Sequence, residues 1–326
     1  MLLLRPVPSG PERLPRAVRV VGLTLLVLLA AAAIWTRVLA DRAERDFPRL
    51  GRHVEVEGLR QHVLERGSGT PIVFVHGAYG GLQDYEATIL GAASERYRCV
   101  LWDRPGHGYS ERPGGDVDPG AQARILMGVV RELGLERPLL VGFSYGGAVC
   151  LAAALDAPDE VRGVVLLNGP SHPWPAPLDL EYRIGRVPVL GWLLSETVVA
   201  PMGSVFGDRS VASAFDPSPV PELFARSPIP LALRPTSYRA NTDDIALLKP
   251  FLRAQVDRYA DLRVPVRALV STDDTVVSPT IHVPELMKLV PNGVQLRIDG
   301  AGHQILYTHP DDVLQAIDDA LAAAPR

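Results

Sequence analysis

Eight short strand-like runs, each closing on a glycine or a polar cluster, limit what this chain can fold into. They are His53–Val56, Gln61–Glu65, Ile72–His76, Cys99–Trp102, Leu139–Phe143, Val161–Leu167, Val266–Val270 and Val294–Ile298. Runs such as IVFVH are too short for helices and rich in β-branched residues, so they read as strands. The first two flank Glu57-Gly58, a hairpin signal. Helical patterns lie between the later runs. Residues 121–133 carry apolar side chains at 125, 126, 129, 130 and 133, residues 146–155 are apolar throughout, and a last helix is expected from about Asp311 to Ala324. Continuous apolar strands alternating with helices require a mostly parallel sheet with both faces covered. The expected class is therefore α/β, with eight strands flanked by helices.

One long interruption breaks the alternation, at about residues 169–263. Residues 170–235 hold 12 of the chain's 30 prolines, too many for a sheet strand to pass through. The segment is also too apolar for a linker. It reads as a cap or lid inserted over a pocket.

The N-terminus is of a different kind. Val20–Trp35 is an uncharged run, VVGLTLLVLLAAAAIW. As a helix it covers about 24 Å, close to a bilayer core once its flanks are added. Arg5, Arg13, Arg16 and Arg19 precede it against Glu12 alone. That places residues 1–19 in the cytoplasm and the main body on the other side. The expected division is a basic segment 1–19, a signal-anchor 20–40, a linker 41–52 and a catalytic-type domain 53–326. Val38-Leu39-Ala40 also suits cleavage before Asp41, which would leave a secreted or periplasmic protein.

Charge and cysteine content exclude several classes. Net charge is −4, and no Lys/Arg-rich run follows the N-terminus, so nucleic acid is not an expected partner. Cys99 and Cys150 cannot build a disulfide framework and read as buried small hydrophobes. No His/Asp/Glu cluster has metal spacing and no phosphate-binding glycine loop lies in context, so neither metal nor cofactor is expected.

The chemistry gathers at three strand ends. Gly142-Phe143-Ser144-Tyr145-Gly146 is a G-x-S-x-G set between a strand and a helix, the context in which a serine hydroxyl is lifted clear of a sheet. A serine needs a base within hydrogen-bond reach, itself oriented by a carboxylate. Val266–Val270 runs into Ser271-Thr272-Asp273-Asp274, and Val294–Ile298 runs into Asp299-Gly300-Ala301-Gly302-His303. Of the other histidines, His309 reads as a capping or packing group, His107 as part of a structural corner, and His76 as a packing or hydrogen-bonding group. The main-chain N–H after the serine, at Tyr145, supplies one oxyanion donor.

From about residue 53 to 323 the chain resembles the α/β-hydrolase fold superfamily, in its single-domain, lid-bearing branch. The resemblance rests on IVFVHGAYG (72–80), LWDRPGHGYS (101–110), VGFSYGG (141–147), STDDTVVSP (271–279) and GAGHQI (300–305). It implies a catalytic triad of Ser144, Asp274 and His303. In the family the acid follows a strand-end glycine by three positions; here that glycine is Ser271, and the count selects Asp274 over Asp273. The resemblance also points to Ala78 as the second oxyanion donor, although the HGGG form of some lipases is missing. The implied activity is cleavage of an ester or related acyl bond of a mainly hydrophobic small substrate through an acyl-enzyme. C–C bond hydrolases, amidases, acyltransferases and perhydrolases share the triad. An aspartate in place of Ser144 would have indicated epoxide or haloalkane hydrolysis. The reading from another class is a non-catalytic protein that uses the pocket for binding alone.

Overall fold

The computed structural model describes residues 15–324. A helix, α1 (Arg16–Asp46), precedes the hairpin β1 (Arg52–Val56) and β2 (Leu59–Arg66). Then follow β3 (Pro71–Val75), α2 (Leu82–Thr88), α3 (Leu90–Ser94), β4 (Arg98–Trp102), α4 (Pro119–Glu132), β5 (Leu139–Phe143), α5 (Tyr145–Asp156) and β6 (Gly163–Leu167). Five helices come next: α6 (Leu180–Gly185), α7 (Pro188–Thr197), α8 (Val199–Phe215), α9 (Ile229–Ala232) and α10 (Pro235–Gln255). The chain then returns through β7 (Val266–Ser271), α11 (His282–Leu289), β8 (Gly293–Ile298), α12 (Ile305–Thr308) and α13 (Pro310–Ala323).

The eight strands form one sheet in the order β1-β2-β4-β3-β5-β6-β7-β8. Only the β1/β2 and β2/β4 pairs are antiparallel. The register sets Val75 opposite Gly142, and Phe143 opposite Leu167. The inner strands bury both faces, because alternate residues point to opposite sides. Val73, Val75, Leu140, Val164 and Leu166 pack with α4 and α5, whereas Ile72, Phe74, Val141, Val165 and Leu167 pack with α2, α3 and α13. Cys99 and Cys150 are free and buried.

The N-terminal helix departs from the expected boundaries. It runs unbroken through Ala40 to Asp46, so half of the expected linker is helical. The cause is tertiary. Thr36, Ala40 and Ala43 are spaced three or four apart and buried, and this stripe of small side chains packs against α7, α8 and α9. Glu44 pairs with Arg234 at 2.8 Å, and the Tyr109 hydroxyl donates to the Phe47 carbonyl at 2.7 Å. Among the described residues, those N-terminal to this stripe are mostly exposed. At 31 residues the helix is about 46 Å long, longer than a bilayer core requires.

Candidate active site

Ser144 stands between β5 and α5 with φ 48° and ψ −124°, a backbone conformation that L-residues rarely adopt. Its neighbours make the turn possible. A Cβ on Gly142 would lie 2.6 Å from the Gly146 carbonyl carbon, and one on Gly146 would strike the Val75 carbonyl oxygen. Both positions therefore need glycine. The Ser144 N–H donates to the Leu167 carbonyl at 2.8 Å, which ties the elbow to β6.

Asp274 and His303 meet beyond the ends of β7 and β8. His303 Nδ1 donates to Asp274 Oδ2 at 2.7 Å, and both side chains are buried. The other carboxylate oxygen, Oδ1, accepts the main-chain N–H groups of Val276 at 2.8 Å and Val277 at 2.9 Å. With both oxygens committed, the carboxylate fixes the ring and its tautomer. The ring packs 5.0 Å from that of Phe143, the residue before Ser144. Asp273 is exposed, and its N–H donates to the Ala301 carbonyl at 3.1 Å.

Asn168, which no sequence motif singled out, joins the two loops. It follows β6 with φ 49°. Its Nδ2 donates to Ser271 Oγ at 2.9 Å and to the His303 carbonyl at 3.0 Å, and its Oδ1 accepts the Ser271 N–H at 2.9 Å. Ser271, the departure from the family's glycine, thus serves as an anchor. We expect Asn168→Gly to lower kcat by about 10- to 100-fold with KM little changed, because glycine accepts the φ while the loop tie is lost. Unchanged kcat in a steady-state assay would remove this role.

The Tyr145 and Ala78 N–H groups are both free of main-chain partners among the described residues. A Cβ added to Gly77 would lie 3.0 Å from Ser144 Cβ, so the loop after β3 passes directly beside the serine. Asn241 on α10 holds that loop by accepting the Tyr79 N–H at 3.0 Å.

A family model described as the α/β hydrolase fold matches residues 70–310. The chain is an α/β hydrolase. Over 270 residues it is 29% identical to haloalkane dehalogenase 2 of Mycobacterium tuberculosis, covering 79% of this chain and 90% of that one. Over 291 residues it is 26% identical to 2-(acetamidomethylene)succinate hydrolase of Mesorhizobium japonicum, covering 87% and 99%. Among solved structures, an esterase from Thermogutta terrifontis superposes with a TM-score of 0.66 at 22% identity, covering 83% of this chain and 98% of that one.

Beneath the elbow of this hydrolase lies a buried polar cluster. Arg104 donates to Asp244 on α10 at 2.5 Å and lies 4.4 Å from the centre of the Tyr145 ring. Gln122 bridges Asp244 and the Tyr145 hydroxyl at 2.9 and 3.2 Å. His76 Nε2 accepts the Arg104 N–H at 3.0 Å, so the ring is neutral with its proton on Nδ1, donated to the Gly77 carbonyl at 2.8 Å. His107 Nε2 lies 3.1 Å from Asn241 Oδ1. His309 bonds Thr308 at 2.9 Å and makes no side-chain cap. Asp84, also unforeseen, accepts from Gly81, Ser227 and Tyr307, tying α2 to two other segments, and burial raises its pKa.

Three buried histidines, His76, His107 and His282 at the start of α11, make stability depend on pH. Burial, then the charge of Arg104, pushes His76 and His107 well below the ordinary 6.5, and burial takes His282 to about 4. The unfolded chain takes up these protons from about pH 6.5 downward, and the fold does not. Their contribution is therefore complete above that pH and is lost below it. We expect Tm to fall steadily from pH 6.5 to 5, each histidine removing at most about 2 kcal/mol. A Tm that stays level over that range in thermal melts would contradict it.

A cavity of about 840 Å³ lies elsewhere, between the end of α1, α2 and the helices before β7, with Phe47, Gln83, Val211 and Phe224 in its wall. Among the described residues no group of three or more His, Cys, Asp or Glu side chains could hold a metal ion.

Proposed function

We propose that this chain is a serine hydrolase that cleaves an ester or related acyl bond of a mainly hydrophobic small substrate. Ser144 attacks the carbonyl carbon while His303 Nε2 takes the hydroxyl proton. The N–H groups of Tyr145 and Ala78 receive the oxyanion. His303 then returns its proton to the leaving group, and water attacks the acyl-enzyme by the same route. Asp274 holds the ring throughout.

The observation that carries this reading is a serine on the strained elbow, directly after Phe143, whose ring packs against a carboxylate-fixed histidine. It also separates the chain from the chemistry in its dehalogenase relative's name. Displacing halide needs a nucleophile whose alkyl product water can release. A carboxylate gives an ester, which hydrolyses; a serine gives an ether, which does not. Acyl transfer has no such obstacle.

A fluorophosphonate probe tests the reading. One equivalent should attach covalently at Ser144 and abolish hydrolysis of p-nitrophenyl esters. A protein that leaves the probe and every ester of a graded chain-length series untouched would be a binding protein instead.

The reading extends to α1 as an uncleaved anchor that holds the domain outside the cytoplasmic face. Its support is the helix running through Ala40, with residues on both sides of the cleavage point packed against the same helices. Full-length protein should fractionate with membranes and resist high-salt extraction, because apolar insertion is not screened. Recovery from the soluble fraction with Asp41 as the first residue would overturn the anchor and leave the hydrolase reading standing.

A further inference from the structure

The helices that α1 rests on carry an apolar face of their own. Between Pro188 and Gly207, across α7 and the first half of α8, the only charged side chain is Glu196, and it is paired with Arg239 of α10 at 3.0 Å. On the outer side Val189 is 77% exposed, Trp192 55% and Phe206 58%, with Leu190, Met202 and Val205 also exposed. A contiguous apolar face of this kind marks an interaction surface rather than ordinary scatter.

Its position says what covers it. The same stretch of α1 that buries Thr36, Ala40 and Ala43 against α7, α8 and α9 leaves Ile34, Trp35 and Val38 exposed. The apolar surface therefore continues from the end of the membrane run directly onto the helix pair. The two helices meet at a bend of 68°. At 10 and 17 residues they are about 15 and 26 Å long, so neither crosses a bilayer alone, and bent in this way they suit the boundary layer. Trp35 and Trp192 are both exposed, and exposed tryptophans favour that layer.

We propose that α7 and α8 lie in the headgroup–acyl boundary of the same bilayer that α1 crosses, with phospholipid as the occupant of their apolar face. The proposal rests on α1 being an anchor. It places the segment between β6 and β7, whose α10 holds the loop beside Ser144, against the phase in which hydrophobic acyl substrates concentrate.

The test uses full-length protein in phosphatidylcholine vesicles, with a nitroxide label on one introduced cysteine at a time. The native cysteines are buried and do not compete for label. Positions are Val189→Cys and Phe206→Cys on the face, Leu26→Cys on α1, and Glu95→Cys, exposed near the start of β4 at the opposite end of the sheet. Hydrolysis of a short p-nitrophenyl ester confirms that each variant is folded. Labels at 26, 189 and 206 should collide more often with oxygen than with a water-soluble nickel chelate, and the label at 95 should do the reverse. Lipid-like behaviour at 26 with water-like behaviour at 189 and 206 would overturn the proposal and leave the anchor intact. Water-like behaviour at 26 would overturn both. Spectral broadening at 206 that disappears on dilution with unlabelled chain would show that a second copy covers the face, and that too would overturn it.

Discussion

Ser144→Ala is expected to lower esterase turnover by about 10⁴- to 10⁶-fold while moving Tm by no more than a degree or two. The substitution removes one hydroxyl and keeps the main-chain bond from residue 144 to the Leu167 carbonyl. Alanine at φ 48° is as strained as serine, so the backbone term cancels. His303→Ala should cost as much, and the double variant no more than either alone, because nucleophile and base act as one unit. Asp274→Asn should cost about 10⁴-fold, by the tautomer logic known from serine proteases. Here the reason is visible. The Val276 and Val277 N–H groups demand an oxygen on their side, so the new amide nitrogen would face His303 Nδ1 as a donor. The proton would move to Nε2, which then cannot accept one from Ser144. Steady-state kinetics on a short ester decide the matter: either single alanine variant retaining more than a tenth of wild-type turnover removes the assignment.

How much of this was legible depended on how local each cause is. The strands could be read because a buried parallel strand is apolar on both faces, so IVFV and LLVGF declare themselves without any partner. The elbow could be read because its two glycines answer a steric demand a few residues away. The short helices α2, α3 and α11 carry too few turns to show a period. The extension of α1 into residues 41–46 was hidden, since Ala40 and Ala43 look like any small residues until α7–α9 lie against them. Asn168 was hidden for a related reason. Its partners Ser271 and His303 lie 103 and 135 positions away, and an asparagine after a strand looks like an ordinary turn residue. Asp244 is the extreme case, one of two adjacent acids on a helix, whose partner Arg104 is 140 residues distant.

That acid carries the second large effect, and Asp244→Leu is expected to destabilise the protein by about 3–5 kcal/mol. Arg104 and Asp244 are both fully buried. Removing the carboxylate strands the Arg104 guanidinium without its counter-charge and takes partners from Arg112 and Gln122, which reach the other oxygen at 2.8 and 2.9 Å. Desolvating a lone guanidinium costs far more than the pair itself contributes. The loss corresponds to a fall in Tm of roughly 10 °C for a domain of this size. A partner substitution separates the stranded charge from lost packing. Arg104→Met combined with Asp244→Leu should recover a large part of the stability, because the fully buried guanidinium is then gone and only Arg112, which reaches solvent, keeps a charge without its partner. Activity should not return with it. Without the guanidinium the Tyr145 ring loses its stacked neighbour, and α10 loses its ion pair to the corner beneath the elbow. Thermal melts of the two single variants and the double variant complete the cycle. Strictly additive losses would mean that the pair is not coupled and that the elbow is held by packing alone.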